Sequence, residues 1–221
     1  MTITLYYADR SSALPALVGL EETGAPFEAV KLALASGEQK AAEYRAVYPR
    51  GRVPALVIDG ETIGENAGVL TAIAFRFPQA GLLPLGDAVQ LAKAYELIGW
   101  FASGVHVAFA QIFRPERYTD DQAAWPALAE GGREQVHVAY AEIERRLSDG
   151  RDWLVGDRFS LVDPYAAVFW RWAERVGIDT AAYPDYAAHF ARLSQRPSVQ
   201  RAFARESVVQ APQLHLNKAA G

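Results

Sequence analysis

Apolar and polar positions alternate in "ITLYY" (3–7) and "FEAVKL" (27–32), and between them Leu14, Leu17, Val18 and Leu20 recur at helical spacing until Gly24. The opening therefore predicts strand, helix (12–23), strand. A polar helical stretch over 38–47 follows, then "VPALVI" (53–58) as a strand, "DG" (59–60) as a hairpin turn, "ETI" (61–63) as a short strand and a helix over 65–77. In "PQAGLLPLGD" (78–87) the prolines and glycines let neither helix nor strand continue, which predicts a domain 1–78, a linker 79–87 and a second domain 88–221. Beyond the linker, 88–113, 127–147, 160–176, 186–193 and 198–205 all carry helical spacing, so the second domain is expected to be all-α.

Composition narrows the function classes. With 51% hydrophobic and 22% charged residues, the 221-residue chain is an ordinary globular sequence able to bury its own core. Net charge is −4 and the basic residues are scattered singly or in pairs, so no stripe exists to neutralise nucleic acid, which is not an expected partner. "MTITLYYADR" lacks a signal-peptide pattern, and the weakly polar stretch 100–113 contains His106 and is too short to span a bilayer. No membrane association is expected, and the cytoplasm is the expected compartment. There is no cysteine, so any thiol chemistry needs a sulfur supplied by a ligand.

Two local signals carry a mechanism. In "GDRFSLVDPY" (156–165), Ser160 can cap a helix while Asp163, three residues on, reaches back to the cap's own amide. In "RSSALP" (10–15), Ser12 reads as an N-cap with Pro15 in the first turn, and a capping oxygen still leaves a hydroxyl proton to donate. His137, His189 and His215 show no ligand-like spacing, so no metal is expected.

The layout βαβ, αββα, linker and helical domain resembles the cytosolic glutathione transferases from end to end. The resemblance implies an α/β thioredoxin-like N-terminal domain followed by an all-α C-terminal domain. "YPRGRVPALVIDGETIGEN" (48–66) is similar to the family segment with a cis proline, here Pro54, whose cis bond would turn the Val53 amide and carbonyl toward a bound peptide. Glu65-Asn66 stands where the family usually has Glu-Ser, the pair that holds the γ-glutamyl end of glutathione. "GDRFSLVD" looks like the family's capping box, and "QRPSVQRAF" (195–203) resembles the start of its C-terminal helix. "SGVHVAFAQIF" (103–113) looks like the bacterial beta-class segment in which a histidine, here His106, faces the thiol; the lysine usual after it is Val107.

What the resemblance implies is glutathione as co-substrate, a small apolar electrophile as second substrate, and a homodimer. A free thiol, with pKa of about 8.5, needs a device that favours its thiolate. A donated hydroxyl hydrogen bond and a helix N-terminus can lower it by one to two units, roughly 1.4 to 2.7 kcal/mol. Three hydroxyls stand at family donor positions: Tyr6 as in the alpha, mu and pi classes, Ser11 as in theta and delta, and Ser12 at the beta-class cysteine. Ser12 is the first candidate. Arg52 or Lys40 can meet the glycyl carboxylate of the tripeptide. The alternatives are a catalytically silent binding or regulatory protein of the same fold, and a glutathione-dependent peroxide or disulfide reductase.

Overall fold

Strand β1 (Ile3–Tyr7) sends Leu5 and Tyr7 to one face of the sheet and Tyr6 to the other, the period-two alternation its sequence predicts. It pairs in parallel with β2 (Glu28–Lys31) and antiparallel with β3 (Ala55–Ile58), which pairs antiparallel with β4 (Glu61–Gly64). The order β2-β1-β3-β4 is the mixed sheet of a thioredoxin-like domain. Helices α1 (Leu14–Thr23) and α3 (Asn66–Arg76) cover the Leu5 face, while α2 (Ala42–Val47) covers the Tyr6 face through Tyr44. The chain is seen in a computed structural model that describes residues 2–207; His215 and the tail from 208 lie outside them.

The second layer consists of α4 (Ala88–Trp100), α5 (His106–Phe113), α6 (Trp125–Leu147), α7 (Val162–Val176), α8 (Pro184–Ser194) and α9 (Pro197–Ser207). Its start is secured by Asp87, whose carboxylate accepts from the Val89 and Gln90 amides at 2.9 and 3.0 Å. A π turn over Phe101–Val105 joins α4 to α5, so Ala88–Phe113 runs 26 residues as one helical stretch. Expectation had weighed only 100–113 against a bilayer; the whole stretch is long and apolar enough to cross one by length and composition. Its apolar stripe, Leu97, Ile98, Phe101, Val105 and Phe109, is instead buried in the helical core.

The two layers share one core. Every residue of α1 from Leu14 to Glu21 is buried, because the sheet lies on one side and α7 and α9 on the other. A Cβ on Gly19 would stand 3.0 Å from the Leu161 side chain, so glycine lets α1 approach the start of α7 this closely. Glu21 and Glu22, at the end of α1, receive Arg201 at 2.6 Å and Arg196 at 2.8 Å from α9 and the turn before it.

Candidate functional site

The β1–α1 loop is built around Arg10, a non-glycine residue at φ 49°. Both its main-chain groups are held from the helical layer: its amide donates to the Glu206 carboxylate at 3.1 Å, and its carbonyl accepts from the Trp172 indole at 2.7 Å. Glu206 is itself buried and paired with Arg171 at 2.6 Å; burial raises its carboxyl above the ordinary value, with Arg171 opposing. This clamp on the loop has no local sequence signature, because its partners lie more than 160 residues away.

Ser11 and Ser12 follow, and the structure gives them different surroundings. The Ser11 hydroxyl donates to the Ala8 carbonyl at 2.7 Å and accepts from the Ala13 amide at 3.2 Å, so its only proton is committed within the turn. The expected N-cap role of Ser12 is corrected: α1 begins at Leu14, its cap position is Ala13, and the hydroxyl that ties the turn belongs to Ser11. The reason is the left-handed Arg10, which brings the Ala8 carbonyl within reach of the first serine instead of the second. The Ser12 hydroxyl makes no hydrogen bond among the described residues, and the Ser12 carbonyl accepts from Asn66 Nδ2 at 2.8 Å.

That contact corrects a second expectation. Asn66 does not cap α3; Glu65 occupies the cap position, at φ 62° and ψ 136°, and no side chain caps the helix. Asn66 is buried as the first residue of α3, its amide nitrogen tied to the α1 loop and its Oδ1 without a partner among the described residues. Beside it, burial pushes the Tyr165 phenol up to about 12, with the Asn66 side chain pulling the other way. The amides at the start of α3 therefore lack a side-chain cap, and the adjoining Glu65 carboxylate meets Arg50 at 3.0 Å on the surface. Gly64 fits this corner because a Cβ would fall 2.1 Å from the Tyr48 ring.

The Val53–Pro54 peptide is cis, and the Val53 amide and carbonyl take no partner among the described residues. The Arg52 carbonyl accepts from the Tyr44 hydroxyl at 2.6 Å, which fixes the strand just before this point. Tyr6, by contrast, is not brought together with the serines. Its ring packs 5.3 Å from Tyr44 in the small cluster on the other face of the sheet, and burial raises its phenol above the ordinary value.

His106 begins α5 directly after the π turn, its half-buried ring 5.2 Å from Trp172 and edge-on to it. Burial, reinforced by the Arg117 and Arg52 guanidiniums, lowers it to about 4, so the imidazole is neutral at neutral pH. Glu65 acts on the same ring in the opposite sense, which places His106 between groups of both domains. Arg117 escaped sequence reasoning altogether, since "RPERY" offers no motif to separate it from a solvated charge. His189, read as isolated, has a buried partner: its Nε2 lies 2.9 Å from Asp163.

Comparison with known proteins agrees with this architecture. The glutathione S-transferase N-terminal domain matches residues 11–73 and the C-terminal domain matches residues 106–197. Glutathione S-transferase GST-4.5 of Xanthomonas campestris pv. campestris is 30% identical over 183 residues, covering 83% of this chain and 88% of that protein. A sphingomonad glutathione S-transferase, solved complexed with glutathione, superposes with a TM-score of 0.81 at 35% identity over 93% of this chain and 100% of that one. A glutathione transferase homolog from Sulfitobacter, solved with bound glutathione, gives a TM-score of 0.87 at 29% identity over 94% of this chain and 99% of that one. The chain belongs to the cytosolic glutathione transferase family.

Proposed function

We propose that the protein is a glutathione transferase in which the Ser12 hydroxyl donates a hydrogen bond to the glutathione thiolate at the N-terminus of α1. The observation that carries this reading is the division between two adjacent hydroxyls: Ser11 spends its proton on Ala8, and Ser12 keeps its own. In this reading the Val53 main chain pairs with the tripeptide backbone, with Pro54 setting its direction. Glu65 takes the γ-glutamyl ammonium, and the uncapped α3 amides of Asn66 and its neighbour take the α-carboxylate. The neutral His106 and the edge of Trp172 border the cleft in which a small apolar electrophile meets the sulfur.

The thiolate needs no base of its own. A hydroxyl donor and a helix end each favour the charged sulfur, and together they supply the roughly 1.4 to 2.7 kcal/mol that a shift of one to two units requires. As the sulfur attacks, the thiol proton has already gone to solvent. Homodimerisation belongs to the same proposal, supported by Phe75 on α3 and Val89 on the adjacent α4, large apolar side chains left 59% and 65% exposed. So does a cytoplasmic setting.

The test is the thiolate absorbance of bound glutathione followed across pH. Ser12→Ala is expected to raise the bound thiol's pKa by about one unit, the hydroxyl's share of the shift, while Ser11→Ala leaves it in place. A wild-type thiol with the free value of about 8.5 would overturn the activation claim. One observation favours a second reading, a silent glutathione-binding protein: the Asn66 amide is committed to the Ser12 carbonyl instead of facing a ligand. Binding without turnover of any electrophile would select it.

A further inference from the structure

The last turn of α9 meets the first domain at three points. The Tyr7 hydroxyl, at the end of β1, donates to the Arg205 carbonyl at 3.1 Å. The Lys31 ammonium, at the end of β2, donates to the Glu206 carbonyl at 2.6 Å and pairs with Asp9 at 2.7 Å. The third point is the Glu206 side chain, only 6% exposed, whose two carboxylate oxygens are divided between the domains. Oε1 accepts from the Arg10 amide at 3.1 Å, and Oε2 accepts from the Arg171 guanidinium at 2.6 Å. Arg171 is itself held, its guanidinium 4.5 Å from the Phe203 centroid and its carbonyl accepting from the Arg10 guanidinium at 3.2 Å.

Arg10 is what these contacts hold. Its φ of 49° is a conformation that a residue with a side chain keeps only where its surroundings impose it. The Glu206 carboxylate fixes the amide side of Arg10 and the Trp172 indole fixes its carbonyl side, so the peptides before and after it are both tied to the helical domain. Ser12 stands two residues on, and the Ser11 hydroxyl between them reaches the Ala8 carbonyl across the turn that Arg10 makes. Relaxation of Arg10 to an ordinary backbone conformation would re-aim this turn and undo the division of labour between the two hydroxyls.

We propose, resting on the transferase reading above, that Glu206 is a positioning residue for the thiol site: from α9 it keeps Arg10 left-handed and thereby keeps the Ser12 hydroxyl available to the glutathione sulfur. Its carboxylate is spent on Arg10 and Arg171 and acts on the sulfur only through the loop. Charge and position pull in opposite senses here. A nearby carboxylate disfavours a thiolate, so removing its charge alone lowers the bound thiol's pKa, whereas losing the hydroxyl donor raises it.

The test follows the thiolate absorbance of bound glutathione across pH in two variants. Glu206→Gln leaves one acceptor oxygen for two donors; Glu206→Asp keeps the charge but shortens the reach, and it serves where the glutamine protein does not fold. Each is expected to raise the bound thiol's pKa by about half a unit to one unit, and the double variant Ser12→Ala, Glu206→Gln to titrate where Ser12→Ala does. Affinity for S-methylglutathione, which has no thiol to ionise, should stay within about twofold of wild type. A folded variant whose bound thiol titrates at or below the wild-type value overturns the proposal. So does a double variant shifted by the sum of the single effects, or an affinity for S-methylglutathione that falls about tenfold. If Ser12→Ala leaves a lowered thiol in place, the donor reading goes and the positioning role goes with it; if Ser12→Ala raises the thiol and neither Glu206 variant does, the positioning role alone is removed.

Discussion

Two helices of this protein are entered through turns that carry serines, and the two starts are finished in opposite ways. Before α7, Asp163 is fully buried and saturated: it accepts from the Leu154 amide at 2.9 Å and the Ser160 amide at 2.8 Å, and His189 lies 2.9 Å away. The Ser160 hydroxyl closes the turn, at 3.3 Å from Asp163 and 3.4 Å from the Val162 amide. Before α1, Ser11 is closed in the same manner but Ser12 is not, and the α3 start beside it has no side-chain cap at all. A helix start whose polar atoms are all satisfied internally is a fastening. One that leaves a hydroxyl proton and main-chain amides unspent, at the positive end of a helix, is a place for a ligand.

The sharpest way to break this contrast is at the closed start. Asp163→Ala leaves the Leu154 and Ser160 amides and the His189 ring facing a dry pocket, and it should cost about 3–5 kcal/mol in urea unfolding. Protein that remains folded should hold bound glutathione with an unchanged thiol pKa. A loss below about 1 kcal/mol would mean that the saturated carboxylate is not a fastening.

pH separates the two regions next. His106 beside the open start has a folded pKa lowered to about 4, whereas the unfolded chain takes up the proton near 6.5. The unfolded state therefore binds more protons between these values, and stability falls as pH drops through that window. His106→Gln should flatten this slope in unfolding measurements made at a series of pH values. An unchanged slope would assign it to other groups.

How much of this was legible in the chain follows from range. The reach of Asp163 back to the Ser160 amide could be read because it spans three positions, although the cap position of α7 is Leu161 and not the expected Ser160; the Leu154 and His189 partners, 9 and 26 positions away, could not be read. The sheet and its helices were legible from alternation and helical spacing. The π turn was not, since the apolar stripe from Leu97 to Phe109 reads equally well as one unbroken helix. At the candidate site, Pro54 was marked by its motif. Which serine stays free was decided by the left-handed Arg10 and by its partners on α7 and α9, which no window around "RSSALP" contains. The bond of the Tyr118 hydroxyl to the Val107 carbonyl, 11 positions back, folds the segment after α5 against that helix and had no local signal either.

The two smallest effects sharpen the contrast inside the opening segment. Ser11→Ala removes a hydroxyl that bridges Ala8 and Ala13, and it should lower stability by about 1 kcal/mol with the bound thiol's pKa in place. Tyr6→Phe should do less still. Its ring stays packed 5.3 Å from Tyr44, and only a phenol on the far face of the sheet is lost, so stability should hold within about 0.5 kcal/mol. The thiolate absorbance should titrate as in wild type, because β1 alternates and the residues that face α1 are Leu5 and Tyr7, not Tyr6. A Tyr6→Phe protein whose bound thiol titrates at a higher pH would make the phenol the donor. The unspent Ser12 proton would then lose its function, and with it the distinction between the two helix starts.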